Sequence, residues 1–459
     1  GAPTDTDKVV EKINEILIEK YNIEVEFQIS DFASYKQSMT LALAGGEQYD
    51  LINAISVGYT TLASQDNLLD LEEDDLIYKY GQGIIDAVGM EVLDMCRYGG
   101  VLYGVPALHE FAQGRGCIVV RTDLLESIDW EIPTNATQGY DEIIKITEED
   151  LETIFAQLHE KYPDMYTYGP ASNDLAQQTM LDPIGGNNFG VLIGGQDDDM
   201  KVVNLFETEE YLNFVTRVYN WNQKGYINKD AATDTTSVGT QIREGTLCAY
   251  GTGGKPGSKA QEGSGLMEAL GTDVTILQTR DTYMGSSTAS GMPWVIPYTT
   301  ANPEAAMVLM NEFYTNAEIA NLLVYGIEGT HYEITDDGFL NPAAGTNPND
   351  YGTLGWLSPN QFLDVVSVGN SATLWDDIKV FNETSVKSRA AGFSFDTSSV
   401  ETQIAACTSV YGEYQTYLEY GFLEPESTLK EMNEKLYLAG LQDIIDEKQK
   451  QLDEFMANK

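Results

Sequence analysis

Near the start of the chain, helical and extended patterns alternate, and this restricts the fold class more than any other feature. Asp5 or Thr6 caps a helix running to about Lys20, with Val9, Ile13, Ile16 and Leu17 on one apolar stripe. Ile23-Glu-Val-Glu-Phe-Gln-Ile29 then alternates apolar and polar, as a half-buried strand does. Ser30 or Asp31 caps a second helix that holds Tyr35, Met39, Leu41 and Leu43 and stops at Gly45-Gly46. Tyr49 to Asn53 reads as a short strand, a helix follows near Tyr59–Ser64, and Asn67 to Leu71 is a connecting turn. This order implies an α/β fold with a mostly parallel sheet and helices on both faces. At 459 residues the chain exceeds one simple core, and at roughly 100–200 residues per domain it holds two to three.

Further along, Gly99 to Pro106 reads as a hairpin and Gly116–Val120 as an apolar strand, and Arg121 starts a helix. Thr147-Glu-Glu-Asp150 has the form of a capping box, and its helix reaches Tyr162. Glu207–Lys224 is amphipathic and stops at Gly225; Trp221 falls on its apolar stripe and belongs in the core. Glu244–Tyr250, Val274–Gln278 and Trp294–Ile296 read as strands. Asn302-Pro303-Glu304 opens a helix to about Tyr314: Asn caps, Pro takes the first turn and Glu meets the positive dipole end. Glu401 to Lys459 is mostly helical, with breaks near Gly421–Pro425 and at Gly440.

Composition excludes several functions. With 26 basic and 72 acidic residues the net charge is −46, and no Lys/Arg stripe exists to track phosphates, so nucleic acid is excluded as a partner. The acidic runs Asp197–Asp199 and Glu72–Asp75 read as solvated loops or helix starts, and neither fits a calcium loop. Cys96, Cys117, Cys248 and Cys407 are far apart with no C-x-x-C, so each is expected to pack as a small hydrophobe. No run of about 18 apolar residues occurs. The 27 Tyr and 5 Trp supply flat amphipathic surface suited to sugar-like ligands, although most such rings belong to cores.

The catalytic motifs fail one by one. His109-Glu110-Phe-Ala-Gln113 begins like H-E-x-x-H, but Gln113 stands where the second histidine is required. Gly251-Thr-Gly-Gly-Lys-Pro-Gly257 suggests a phosphate loop, yet Ala249 stands where its first glycine should be and Pro256 where Ser/Thr should be. G-x-S-x-G is absent, and among 72 acids a carboxylate pair carries no specificity. No cofactor or metal site and no catalytic residue is expected.

Several stretches together resemble a known family. Tyr80-Gly-Gln-Gly, Tyr98-Gly-Gly-Val-Leu-Tyr-Gly-Val-Pro106, Arg121-Thr-Asp-Leu-Leu125, Asn220-Trp-Asn-Gln-Lys-Gly-Tyr226 and Gly291-Met-Pro-Trp-Val-Ile-Pro297 are similar to the extracellular solute-binding proteins of ABC importers. Tyr325-Gly-Ile-Glu-Gly-Thr-His-Tyr332 and the closing Leu438-to-Gln451 stretch resemble its lipoprotein-type Firmicutes subgroup, with a C-terminal conserved domain of unknown function. The resemblance implies a two-lobed, periplasmic-binding-protein-like (type II) α/β fold with hinge strands and a helical C-terminal segment. It implies a first lobe of 1–112 plus 272–315 and a second of 113–271 plus 316–459. It also implies an extracellular, lipid-anchored monomer that takes a sugar, in particular an oligosaccharide, and hands it to permease subunits. The family opens with a strand before its first helix, so that strand, the signal peptide and the anchor cysteine are expected upstream of Gly1. Arg389 and Ala390 depart from the proline and apolar residues usual in relatives.

Ligands of open α/β sheets bind beyond the carboxyl ends of strands. On that basis the candidate ligand-binding residues are Tyr59, His109, Glu110, Asn173, Thr252, Lys255, Trp294 and Trp356. The alternatives are a peptide or amino-acid receptor, using Arg115, Lys255 or Arg389 against a carboxylate, and an extracellular glycosidase. Tyr325 to Glu333 gathers a histidine and two glutamates, but at intervals that form no metal pattern. Gly326 ends the preceding helix, Gly329 allows a second bend, and Asp336-Asp337-Gly338 turns a small hairpin. The stretch reads as a third interlobe crossing, with Gly326, Glu328 and His331 as hinge residues.

Overall fold

The chain divides into two units in this computed structural model, which describes residues 3–131, 138–139, 143–194, 200–258, 270–347, 349–353 and 355–458. The acidic run Asp197–Asp199 lies outside the described residues. One unit comprises Gly1–Phe111 and Ser287–Val368, the other Ala112–Ser286 and Gly369–Lys459.

The first unit is built on a three-stranded sheet ordered Ile52–Asn53, Trp294–Val295, Gly104–Val105, with both pairings antiparallel. The helix Thr6–Tyr21 buries Val9, Ile13 and Leu17, the stripe its spacing dictates. Asn302 caps Pro303–Thr315 by accepting the Ala305 N–H at 3.1 Å. That helix buries Met307, Met310, Phe313 and Tyr314. The expected strand 23–29 is not one. Its exposure alternates as the sequence requires, but no strand among the described residues pairs with it. The Asn14 side chain stands in for a neighbour: its Nδ2 donates to the Val25 carbonyl at 2.9 Å and its Oδ1 accepts the Val25 N–H at 2.8 Å.

The second unit is organised around Gln113–Arg121, the central strand of an eight-stranded sheet. Leu247–Gly254 pairs with it on one side, and Val274–Gln278 and then Thr282–Met284 on the other, all antiparallel. Parallel pairs lie further out: Leu247–Gly254 with Tyr166–Gly169, Val274–Gln278 with Ile143–Lys145, and Thr282–Met284 with Val386–Lys387. The sheet is therefore mixed, not mostly parallel, because the central strand enters from the first unit and runs against its neighbours. The capping box is present: Thr147 Oγ1 accepts the Asp150 N–H and the Asp150 carboxylate accepts the Thr147 N–H. Helices Glu401–Glu419, Pro425–Leu438 and Leu441–Asn458 complete the unit, and Leu418, Met432, Leu436, Ile444 and Leu452 share one core with Phe155, Phe206, Tyr211 and Trp221.

The expected lobe boundaries need correction. Residues 274–284 pair with the central strand of the second unit, and 316–368 belong to the first. The chain crosses between Phe111 and Ala112, Ser286 and Ser287, and Val368 and Gly369. Gly326, Glu328 and His331 thus lie inside the first unit and not at a crossing. Their bend is local. Gly326 has φ +85°, and a Cβ there would come within 2.4 Å of the His331 ring. His331 Nδ1 accepts the Ile327 N–H at 2.8 Å, which leaves the proton on Nε2, facing Asp5 at 3.3 Å. All four cysteines are free and buried. No helix among the described residues is long and apolar enough to cross a membrane.

Candidate ligand-binding site

In the first unit the register places Asn53, Trp294 and Val105 side by side at the carboxyl ends of Ile52–Asn53 and Gly104–Val105. The Asn53 amide is committed to the backbone, donating to the Met292 carbonyl at 3.1 Å and accepting the Ile55 N–H at 2.9 Å. Trp294 is half-buried, edge-on to Phe313 at 5.9 Å, and its buried indole Nε1 has no hydrogen-bond partner among the described residues. His109 is buried with its ring 5.0 Å from that of Phe111, and Glu110 Oε2 lies 3.8 Å from its Nδ1. The segment carrying Trp356 is tied to this exit: Leu108 N–H donates to the Pro359 carbonyl at 2.8 Å and Gln361 N–H to the Leu108 carbonyl at 2.9 Å. Trp356 itself is 41% exposed and meets Phe32, which is 50% exposed. Phe32 escaped the sequence reading because, three residues before Tyr35 and seven before Met39, it falls in phase with the buried face of its helix.

The structure buries Tyr59 in place of the ligand contact expected of it. It is 4% exposed and its hydroxyl donates to the Cys96 carbonyl, so ring and hydroxyl are both used by the core.

In the second unit the corresponding edge is formed by Gln113, which opens the central strand, and by Gly254 and Met284, which end its neighbours. Two of the three chain crossings, at 111/112 and 286/287, leave from here. The expected glycine loop is strand as far as Gly254, and Thr252 is a half-buried strand residue opposite Cys117. Its glycines admit neighbours: a Cβ at Gly253 would meet the Gln113 amide at 2.0 Å, and one at Gly251 would meet Asp174 Oδ1 at 2.6 Å. Lys255 follows the strand end and is half-buried. Asn173 is exposed at the start of Asp174–Gln178 and makes no capping bond. Beside it Asp174 Oδ2 accepts the Tyr168 hydroxyl at 2.7 Å and the Ala171 N–H at 3.0 Å, and burial pushes its carboxyl up to about 6. Arg115 is 8% exposed, and its guanidinium lies 5.9 Å from the Tyr283 ring centre. Among the described residues no cluster of His, Cys, Asp and Glu is placed to hold a metal.

The structure thus brings His109, Glu110, Trp294 and Trp356 to one edge of the first unit, and Thr252, Lys255 and Asn173 to the carboxyl ends of strands in the second. Comparison with known proteins finds relatives along the whole chain. The family model described as bacterial extracellular solute-binding protein matches residues 2–320, and a domain of unknown function (DUF3502) matches 389–457. A carbohydrate ABC transporter substrate-binding protein of Streptococcus pneumoniae serotype 4 is 25% identical over 466 residues, covering 100% of this chain and 89% of that protein. The crystal structure of the N-glycan transport solute-binding protein NgtS from Streptococcus pneumoniae superposes with a TM-score of 0.85 at 25% identity, covering 100% of this chain and 97% of that one. The same protein in complex with Man1GlcNAc gives a TM-score of 0.73 at 24% identity, covering 100% and 98%.

Proposed function

Since the chain belongs to the bacterial extracellular solute-binding proteins, we propose that it is the carbohydrate receptor of an ABC importer, capturing an oligosaccharide and delivering it to membrane permease subunits. The observation that carries the reading is the similarity to a carbohydrate receptor along the whole chain, through the solute-binding part and the C-terminal helices alike. The geometry is compatible with it. Trp294 and Trp356 offer stacking surface at strand ends, and His109, Glu110, Asn173, Thr252 and Lys255 are candidates for polar contacts. A neutral sugar meets no repulsion from a net charge of −46, whereas an anionic peptide would. In this reading the native protein is a monomer held at the cell surface by a lipid anchor, and it binds without cleaving.

A thermal-shift panel tests it. Mannose- and N-acetylglucosamine-containing oligosaccharides should raise the melting temperature, since ligand at 100 times Kd stabilises by about 2.7 kcal/mol. The oligosaccharides should be recovered intact after incubation. A rise with peptides and none with any oligosaccharide overturns the reading.

A further inference from the structure

Phe32 and Trp356 meet on the surface of the first unit with ring centroids 6.0 Å apart and planes inclined at 68°. They come from separate segments: Phe32 opens the helix Phe32–Ala44, and Trp356 sits in the single turn Gly355–Leu357. Each ring is held, yet 50% of Phe32 and 41% of Trp356 stay open to solvent. Lone exposed aromatics are ordinary; two that buttress each other while open make a preformed apolar corner.

The position of the corner matters as much as its exposure. Tyr35 lies one helical turn beyond Phe32 on the same face, and its hydroxyl donates to the Asn53 carbonyl at 2.7 Å, the carboxyl end of Ile52–Asn53. The Trp356 turn is pinned by Gln361, whose Nε2 donates to the Gly355 carbonyl at 2.8 Å and whose N–H donates to the Leu108 carbonyl at 2.9 Å, just past the end of Gly104–Val105. Both rings are therefore anchored to segments at the carboxyl ends of the sheet, where ligands of α/β folds bind.

We infer that Phe32 and Trp356 form a two-walled subsite for one pyranose ring, with Phe32 a ligand-contacting residue; this rests on the carbohydrate-receptor reading above. A pyranose carries a face of C–H bonds with weak positive charge, and aromatic faces are negative. Rings inclined at 68° give one face as a floor and the other as a wall, so a flat sugar ring stacks on one and abuts the other.

The test is calorimetric titration of the full chain with Man5GlcNAc. Phe32→Ala and Trp356→Ala should each raise Kd about tenfold or more, and the double variant should raise it by less than the product of the two. Phe32→Tyr should stay within about threefold of wild type, while Phe32→Leu, apolar but without a π face, should behave like Phe32→Ala. Ligand-free melting temperatures should barely change, because both rings are half in water. Wild-type affinity in Phe32→Ala overturns the inference and leaves the carbohydrate reading standing. A wild type that binds no oligosaccharide defeats that reading and the inference with it. If the wild type dimerises in ultracentrifugation, and Phe32→Ala is monomeric with unchanged glycan affinity, the corner is a self-association surface and the inference is overturned.

Discussion

Among the buried carboxyl groups of the described residues, three are shifted upward by their surroundings. Burial raises Asp364 to about 8, Glu419 to about 7 and Asp174 to about 6. For Glu419 burial outweighs the Tyr211 and Tyr411 hydroxyls, which both donate to its Oε1 and favour the charged form. In each case the folded pKa exceeds the unfolded one, so the folded state retains a proton the unfolded state has lost. The stabilisation is complete below about pH 4 and drains away as pH rises, ending near pH 8 for Asp364, 7 for Glu419 and 6 for Asp174. Glu72, drawn down to about 2 by Arg97 at 2.6 Å, works in the opposite direction: its stabilisation is fully present above about pH 4.5 and is lost as pH falls toward 2. The melting temperature should therefore peak in mildly acidic solution and fall between pH 5 and 8. Asp364→Asn and Glu419→Gln should flatten that fall; an unchanged slope in both variants would show that these groups do not carry it. The same buried chemistry explains why Tyr59 misled. A Tyr near a strand end suits a sugar face and a core equally, and only the carbonyl that receives its hydroxyl decides between them.

Elements were legible where their chemistry is local. Asn302-Pro303-Glu304 and Thr147-Glu-Glu-Asp150 announce their helices through bonds within one turn, and both caps form as the spacing requires. Strand pairing was not legible in this way. Ile23 to Ile29 alternates correctly, yet alternation fixes only which face is buried, and a strand also needs a neighbour. The direction of Gln113–Arg121 likewise depends on where the chain enters the second unit, which no local pattern records. The glycine breaks in the C-terminal helices can be tested in contrast. Gly421 has φ +78°, and a Cβ there would lie 2.5 Å from the Val218 carbonyl oxygen, in the backbone of the helix Glu209–Gln223. Gly412, on Glu401–Glu419, has nothing within 4 Å of such a Cβ. Gly421→Ala should cost about 2 kcal/mol or more, while Gly412→Ala should stabilise by up to about 1 kcal/mol. Urea titration of both variants reads the difference; equal effects would mean that the helix junction yields freely.

At the scale of the whole chain, the net charge of −46 loads the folded state with repulsion that salt screens over about 10 Å at 0.1 M. Raising NaCl from about 10 mM to about 500 mM should raise the melting temperature. The division into two units was foreseen, but its boundaries were not, because pairing across hundreds of residues sets them. Family boundaries mislead here too. The helices matched as a domain of unknown function, within 389–457, are not a separate body. Cys407, Leu418, Met432, Leu436, Ile444 and Leu452 lie in the same core as Phe155, Phe206, Tyr211 and Trp221. Polar bonds reinforce the union: Asn433 Nδ2 donates to the Phe206 carbonyl at 3.1 Å, and Lys448, wholly buried, donates to the Gly190 carbonyl at 2.8 Å. Removing 389–459 would expose that core and orphan those carbonyls, a loss far above the ~5–15 kcal/mol that holds a typical domain together. The truncated chain should lose the cooperative unfolding of the second unit, seen as a missing or broadened calorimetric transition and dye binding to exposed apolar surface. If it kept that transition intact, these helices would be an appendage. They are instead one wall of the second unit, and so part of the frame that holds the strand ends proposed to meet the ligand.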